Sequence, residues 1–316
     1  MAVFKTRKYN DLGLDTQALA GQFRALNKDG TFNVKKTNIR FSEKINIFHP
    51  LVNMSWSRFM VLIVSCYFMV NIAFAGVYMA IGVEHLTDIT GLSRFEQFME
   101  AFFFSAQTVT TLGYGRVAPV GIPANSVAAI ESMLGLLAFA LATGLLYGRF
   151  SKPTARIRYS AHAVVAPYHD INGFMLRVVN PLDNHLLEVE ATLTLSMKRK
   201  DSDLREFHQL ELERARVVFF PTTWTIVHPI IPSSPLYGLT EEEFRERDPE
   251  FIIMLRAFDE SFSQTVYSRS SYKAHEVYWG RKFVYVARPE KGRLTVDVSR
   301  IDETEPADLN PPVDNS

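Results

Sequence analysis

The chain has 316 residues, and its 34 lysines and arginines are balanced by 34 aspartates and glutamates. This neutrality gives no bulk electrostatic reason to expect a nucleic-acid partner. The single cysteine, Cys66, excludes an intrachain disulfide and a cysteine-based metal site. The first 40 residues are polar, so we expect no cleaved signal peptide there.

Two long apolar runs predict membrane-spanning helices. The first, residues 56–82, carries no charge from Phe59 onward and meets the roughly 20-residue requirement for crossing a bilayer core. The second, residues 124–150, is as long but contains one acid, Glu131. The alternative for both is a buried core helix of a large soluble protein, and the glutamate makes it more plausible for the second run.

Basic residues predict the orientation of these two spans. They are frequent before the first run and just after the second, whereas the segment between the runs contains only Arg94 and Arg116. The positive-inside rule therefore predicts both termini in the cytoplasm of a two-span protein in the cell (inner) membrane.

The segment between the spans contains a predicted half-helix, residues 95–108, with four phenylalanines at helical spacing. It is too short to cross a bilayer and too apolar to lie in water, so we expect it to enter the membrane and return. Non-helical backbone at membrane depth is tolerated where it lines a water-filled path. Residues 110–115, which follow the half-helix, are predicted to be that backbone.

The sequence Thr-Leu-Gly-Tyr-Gly at residues 111–115 suits the removal of water from a cation. Carbonyl oxygens from four copies of one loop can replace the water shell of K⁺. Gly113 and Gly115 permit the backbone angles that aim each carbonyl inward, and Thr111 can add a ring of hydroxyls. Tyr114 would brace the loop from outside. The predicted K⁺ ligands are the backbone oxygens of Thr111, Leu112, Gly113 and Tyr114, with Gly115 completing the filter.

The C-terminal part predicts a β-sandwich over residues 151–300. Residues 188–196 alternate apolar and polar side chains, residues 283–287 and 294–299 are short and rich in strand formers, and prolines and glycines separate the runs.

Two further elements are predicted near the end of the chain. Residues 241–247 indicate one short helix with Thr240 as its N-cap. Residues 301–316 are acidic and contain proline, which predicts a disordered tail.

Residues 111–115 match the Thr-x-Gly-Tyr-Gly signature of potassium channels, and other stretches resemble one family, the inward rectifier potassium channels, especially their prokaryotic branch. Those stretches are residues 46–59, 142–153, 174–181, 228–239 and 259–272. The resemblance covers residues 32–300. It implies a homotetramer in which each chain has a cytoplasmic segment (1–44), an interfacial helix (45–55), a two-helix pore domain with a pore helix, and a cytoplasmic immunoglobulin-like domain.

Three residues are predicted to support the filter: Thr110, Gln107 and Glu131. Gln107 stands where many eukaryotic members carry a glutamate paired with an arginine, so we expect that pair to be absent. Glu131 has two open interpretations. It either attracts cations or buttresses the pore helix, or it is a hydrogen-bonded or protonated carboxyl packed behind the filter.

The resemblance leaves the control of conduction partly open. The middle of the inner helix, residues 136–140, lacks the acid of strongly rectifying members, so Mg²⁺ or polyamine block would depend on Glu131 or cytoplasmic acids. Gly135 and Gly144 are either hinges or close-packing positions. Tyr147 either closes the gate or anchors the helix at the interface. Arg116 replaces an acid common in bacterial relatives; it either lowers the cation concentration outside the filter or is a solvated rim residue.

Anionic lipid, including phosphoinositide-like lipid, is the expected modulator. A basic residue near the inner leaflet gains about 1 kcal/mol from anionic lipid. The alternative is that these charges only set topology. The predicted head-group residues are Trp56, Arg58, Arg149, Lys152, Arg156 and Arg158.

The sequence thus predicts a potassium channel and no enzyme activity. Two alternatives remain open: a weakly selective cation channel, against which Tyr114 argues, and a membrane-anchored ligand sensor with a vestigial pore, against which the intact filter sequence argues.

Overall fold

The chain divides into two compact units, one within Asn38–Lys152 and the other formed by Met1–Thr37 with Pro153–Ser316. We call them the helical unit and the β unit. The computed structural model describes residues 24–35, 37–38, 48–151, 156–182, 184–200, 202–220 and 222–311.

The helical unit contains four α-helices: α1 (Phe48–Asn53), α2 (Trp56–Ile81), α3 (Arg94–Val109) and α4 (Gly121–Phe150). In the described part of the chain, α2 and α4 are the two helices long and apolar enough to cross a membrane. Only 11% of each apolar window is buried within the chain, unlike the core helix of a soluble protein. Helix α4 begins three residues earlier than the sequence predicted, because Pro123 is tolerated in a first helical turn.

Helix α3 lies between the two long helices and begins with a capping box. Ser93 accepts a hydrogen bond from the Glu96 backbone at 3.2 Å, and the Glu96 carboxylate accepts one from the Ser93 backbone at 3.0 Å. The α3 side chains pack with α2 into a small core. Its buried members are Ala75, Tyr78, Leu86, Ala101 and Phe104.

The β unit is a sandwich of two five-stranded sheets. The strands are β1 (Arg158–Tyr159), β2 (Ala163–Tyr168), β3 (Ile171–Val179), β4 (Leu186–Arg199), β5 (Ser202–Leu210), β6 (Arg216–Phe219), β7 (Thr223–Ile230), β8 (Glu250–Asp259), β9 (Gln264–Lys273), β10 (Val277–Trp279), β11 (Arg281–Phe283), β12 (Ala287–Glu290), β13 (Arg293–Val296) and β14 (Thr304–Pro306).

The first sheet has the strand order β1-β3-β2-β10, and β7 also pairs with β3; its one parallel pair is β2 with β10. The second sheet has the strand order β5-β4-β8-β9, and β6 also pairs with β4. Phe174 and Phe251 stack across the core with ring centres 3.8 Å apart.

The local strand predictions were right for long patterns and less accurate for short ones. The alternating stretch 188–196 lies inside β4. Residues 283–287 are not one strand, because β11 ends at Phe283 and β12 begins at Ala287. Residues 294–299 leave β13 after Val296 and enter a 3₁₀ turn, Val298–Arg300.

The short helix α5 (Glu241–Glu246) has the predicted N-cap. The Thr240 hydroxyl accepts a hydrogen bond from the Glu243 backbone N–H at 3.2 Å, and the Glu243 carboxylate accepts one from the Thr240 backbone N–H at 3.0 Å. The cap at Thr240 was predicted from the sequence, whereas its reciprocal partner Glu243 was not.

The predicted disorder of the tail is wrong for residues 301–311. Ile301 is fully buried, β14 pairs with β11, and Asn310 exchanges hydrogen bonds with Asn172 at 2.8 and 2.9 Å. A buried apolar side chain and backbone pairing outweigh the acidic composition that suggested disorder. Residues 312–316 lie outside the described residues.

A segment from the N-terminal part, residues 24–35, docks on the β unit. The backbone N–H groups of Ala25 and Leu26 donate to the buried Glu250 carboxylate at 2.9–3.0 Å. Lys28 lies against the ring of Tyr272, with its Nζ 3.4 Å from the ring centre. The remaining residues of the predicted segment 1–44 and residues 45–47 of the predicted interfacial helix are largely outside the described ranges.

Candidate functional site

The candidate filter loop follows the C-terminus of α3 directly. The Thr110 hydroxyl donates to the Ala106 carbonyl at 2.7 Å and so caps the helix end. The Leu112 N–H donates to the Gln107 carbonyl at 2.8 Å, and the Gly113 N–H reaches the same oxygen at 3.4 Å. Gln107 therefore contacts the loop through its backbone, which the sequence analysis did not anticipate.

The loop has an alternating backbone. Thr111, Gly113 and Gly115 have φ values of +58°, +52° and +82°, in the left-handed region, whereas Leu112 and Tyr114 do not have positive φ. Alternation of this kind lets successive carbonyls point to one side of the chain. A β-branched residue at positive φ is a genuine outlier, so Thr111 is a strained position of the type that concentrates at functional sites.

One side of this loop is open in the single chain. Tyr114 is 76% exposed and Leu112 is 55% exposed. Among the described residues, no atom lies within 4 Å of a Cβ built at Gly113 or Gly115. The bracing role of Tyr114 stays a prediction, and no contact among the described residues accounts for it.

Glu131 lies in a buried polar cluster that joins all three long helices of the unit. Its carboxylate accepts from the Tyr78 hydroxyl of α2 at 2.6 Å and from the Ser105 hydroxyl of α3. Ser105 also lies 3.0 Å from the Asn71 side-chain oxygen on α2. All four residues are at most 1% exposed. The carboxylate is hydrogen-bonded, and its bond to Ser105 also attaches it to α3, so the contacts agree both with a hydrogen-bonded carboxyl and with a buttress of the half-helix. Its partners were not predicted from the sequence.

Gly135 lies one helical turn after Glu131 and touches the end of α3. A Cβ at this position would be 2.4 Å from the Val109 carbonyl oxygen, which is backbone and cannot rotate away. Ser105 and Val109 are also one turn apart. Helices α3 and α4 therefore meet at two successive rungs, Ser105 with Glu131 and Val109 with Gly135. Close packing is the interpretation of Gly135 that this contact favours.

The C-terminal end of the loop carries an ion pair that was not predicted from the sequence. The Arg116 guanidinium lies 3.2 Å from the carboxylate of Glu100 on α3. Glu100 also accepts from the backbone of Thr90 and Gly91 at 3.0 and 3.1 Å. Burial alone would raise the pKa of Glu100, but the hydrogen bonds from Gly91 and Thr90 and the charge of Arg116 lower it. The available signal was Glu100 itself, an acid followed directly by the apolar residues 101–104.

The C-terminal part of α4 has open positions in the single chain. Among the described residues, no atom lies within 4 Å of a Cβ built at Gly144, and Tyr147 is 74% exposed. One residue further, Gly148 faces α1, where a Cβ would lie 3.5 Å from the Phe48 ring.

Arg149 joins the end of α4 to α1 and α2. Its terminal nitrogens donate to the carbonyls that close α1, namely Leu51 at 2.6 Å, Val52 at 3.1 Å and Met54 at 2.7 Å. Its guanidinium lies 4.7 Å from the ring centre of Trp56 and 4.5 Å from that of Phe59. Trp56 also packs on Phe150, with ring centres 5.0 Å apart. Two of the six predicted head-group residues thus contact each other.

The other predicted head-group residues are distributed differently. Arg58 is exposed on α2, and Arg156 is exposed in the β unit. Arg158 forms an ion pair with Asp302 at 3.0 Å, also in the β unit. Lys152 lies outside the described residues.

Comparison with known proteins places these features in context. The model of the inward rectifier potassium channel transmembrane domain matches residues 26–153, and that of the inward rectifier potassium channel C-terminal domain matches residues 157–313. The inward rectifier potassium channel Kirbac3.1 of Paramagnetospirillum magnetotacticum is 34% identical over 286 residues, which are 89% of this chain and 95% of that protein. The G protein-activated inward rectifier potassium channel 3 of Homo sapiens is 28% identical over 90% of this chain and 78% of its own length. The ATP-sensitive inward rectifier potassium channel 11 of Cavia porcellus is 28% identical over 89% of this chain and 78% of its own length.

Proposed function

Because the chain belongs to the inward rectifier potassium channel family, we propose that residues 111–115 are the selectivity filter through which K⁺ crosses the membrane. The family is one of ion channels, and its members are tetramers. Four copies of the loop then surround one axis, and each copy supplies backbone oxygens from Thr111 to Tyr114.

The alternating backbone of the loop is the observation that carries this proposal. Left-handed φ values at Thr111, Gly113 and Gly115 suit a chain whose carbonyls all face one path. The exposed side of the loop suits contact with neighbouring copies, and Tyr114 is the side chain we assign to that contact.

We assign Glu131, Thr110 and Gln107 to support of the filter. Glu131 fixes α3 between the long helices, since its carboxylate binds one hydroxyl from α2 and one from α3. Thr110 and the Gln107 carbonyl fix the first residues of the loop to the helix end. These contacts keep the carbonyl ring at a constant width, on which the rejection of Na⁺ depends.

The gate is assigned to the cytoplasmic half of α4, at Gly144 and Tyr147. Four Tyr147 rings around the axis would close the path by excluding water. Gly144 is the position we assign as the hinge, because no atom of the described residues of its own chain lies within 4 Å of a Cβ there, whereas Gly135 is packed on Val109.

Arg149 is assigned as the mechanical link between α1 and this gate, rather than as a lipid ligand. Three of its N–H groups are already engaged with backbone carbonyls, and its flat face is covered by aromatic rings. Arg58 on α2 and Arg156 in the β unit are both exposed, and we assign each of them separately to contact with anionic lipid. Arg158 is exposed as well, but it pairs with Asp302. Both termini are placed in the cytoplasm by the positive-inside rule.

Rubidium uptake tests the proposed function. The purified protein is reconstituted in K⁺-loaded liposomes, and uptake is measured with Na⁺ and Ba²⁺ as competitors. Uptake that Ba²⁺ blocks and Na⁺ leaves unchanged is the expected result. Equal competition by Na⁺ would indicate a weakly selective cation channel. Absence of uptake in liposomes with and without anionic lipid would favour a membrane-anchored sensor.

A further inference from the structure

The Arg116 side chain is held in place at the outer end of the candidate filter. Arg116 follows Gly115, the last filter residue, so its backbone begins one peptide from the path. Its guanidinium is fixed by Glu100, which in turn receives the N–H groups of Thr90 and Gly91 and the Thr90 hydroxyl at 3.1 Å. Glu100 is therefore a firm anchor, and it is less exposed than its partner, with side-chain exposures of 21% against 66%.

The backbone after Arg116 is fixed as well. The Thr87 hydroxyl donates to the Arg116 carbonyl at 3.3 Å and accepts from the Ala118 N–H at 2.8 Å. The Thr87 N–H donates to the Ala118 carbonyl at 2.9 Å, and Leu86 forms a bridge with Pro119. Arg116 is thus neither mobile at its backbone nor unpaired at its side chain, and it does not behave as a freely solvated rim residue.

We propose that Glu100 and Arg116 form a fixed, charge-neutral pair at the outer mouth, and that this pair sets how strongly external cations are concentrated before they enter the filter. The inference rests on the proposed filter and deepens it by assigning two residues to K⁺ entry and to block by external divalent cations. In a tetramer the pair occurs four times, so removing either partner changes the charge near the path by four units.

The two single substitutions therefore act in opposite directions. Arg116→Gln leaves four carboxylates unpaired, which attract cations. Taking the four charges at about 10 Å from the path, the local K⁺ concentration rises about threefold at 0.1 M salt and about sevenfold at 0.01 M. Because a divalent cation carries twice the charge, its local concentration rises by the square of this factor, about eightfold at 0.1 M. Glu100→Gln leaves four guanidinium groups and lowers both quantities by similar factors.

The double variant separates charge from structure. Glu100→Gln with Arg116→Gln restores a neutral mouth, so we expect conductance and block close to wild type. A purely structural role of Glu100 would instead make the double variant resemble Glu100→Gln. Arg94→Gln is the matched control: it removes the other arginine between the spans, which is exposed, at the opposite end of α3 from the loop.

The experiment measures single-channel inward K⁺ conductance and the concentration of external Ba²⁺ for half-block, in bilayers at 0.01 and 0.1 M ionic strength. The expected order is Arg116→Gln above wild type, Glu100→Gln below it, and the double variant and Arg94→Gln near it, with larger differences at low salt. Equal conductance of wild type and Arg116→Gln at 0.01 M would overturn the inference, and so would an equal effect of Arg94→Gln. If wild type itself carried no K⁺-selective current, the proposed function would fail first.

Discussion

Replacing Glu131 by alanine tests the role of the buried polar cluster behind the filter. The substitution removes the acceptor of two buried hydroxyls, Tyr78 on α2 and Ser105 on α3. The Ser105 hydroxyl can donate instead to the Asn71 side-chain oxygen, 3.0 Å away, so the Tyr78 hydroxyl is the donor left unsatisfied. An unsatisfied buried donor costs roughly 1–3 kcal/mol, which is the expected loss per subunit. Water is scarce at this depth and offers little compensation. Since Ser105 is one turn before Val109, the loosened segment is the one that holds the filter.

Glutamine at the same position is the matched control. Its amide oxygen accepts from the Tyr78 hydroxyl, and its amide N–H faces the Ser105 oxygen, which lets the single Ser105 hydroxyl hydrogen go to Asn71 at 3.0 Å. We therefore expect Glu131→Gln to keep tetramer melting temperature and K⁺ selectivity close to wild type. Glu131→Ala should melt earlier and admit Na⁺ in the rubidium-uptake assay. The reasoning is refuted if the alanine variant matches the glutamine variant in both measurements.

Three further predictions follow from the geometry. Gly135→Ala pushes a Cβ against the Val109 carbonyl and should weaken selectivity, whereas Gly144→Ala should change open probability alone; single-channel recording distinguishes them. Arg149→Gln releases the carbonyls of α1 and should uncouple gating from anionic lipid while leaving selectivity intact, as measured by uptake across lipid mixtures. Burial lowers the pKa of Lys28 to about 8 from 10.5. The undocked segment then binds more protons between these values, so docking of residues 24–35 should strengthen as pH rises from 8 towards 10.5. Hydrogen exchange corrected for intrinsic rates tests this, and Lys28→Met should flatten the response.

Sequence patterns predicted the elements whose signal is local. Each of these signals depends on residues that are close together in the sequence. They are the apolar runs, the half-helix, the alternating strand within β4 and the Thr240 cap. The pairings that define the site are different: Arg149 reaches Leu51, 98 residues away, and Glu131 reaches Tyr78, 53 residues away. No periodicity encodes such partners, because they depend on how helices pack. Residues 301–311 were mispredicted for the same reason, since their order depends on the burial of Ile301 and on the pairing of β14 with β11.

The contacts along α4 suggest how gating and selectivity are kept apart in one helix. Its N-terminal half contacts α3 at two positions, Glu131 and Gly135. At Gly135 the contact is between the backbones of the two helices. Its cytoplasmic end is fixed to α1 through Arg149. Between these attachments, no atom of the described residues lies within 4 Å of a Cβ built at Gly144. Under the proposed function, a displacement of α1 would therefore reach the end of α4 first and be absorbed by bending near Gly144, before it could disturb the residues that hold the proposed filter.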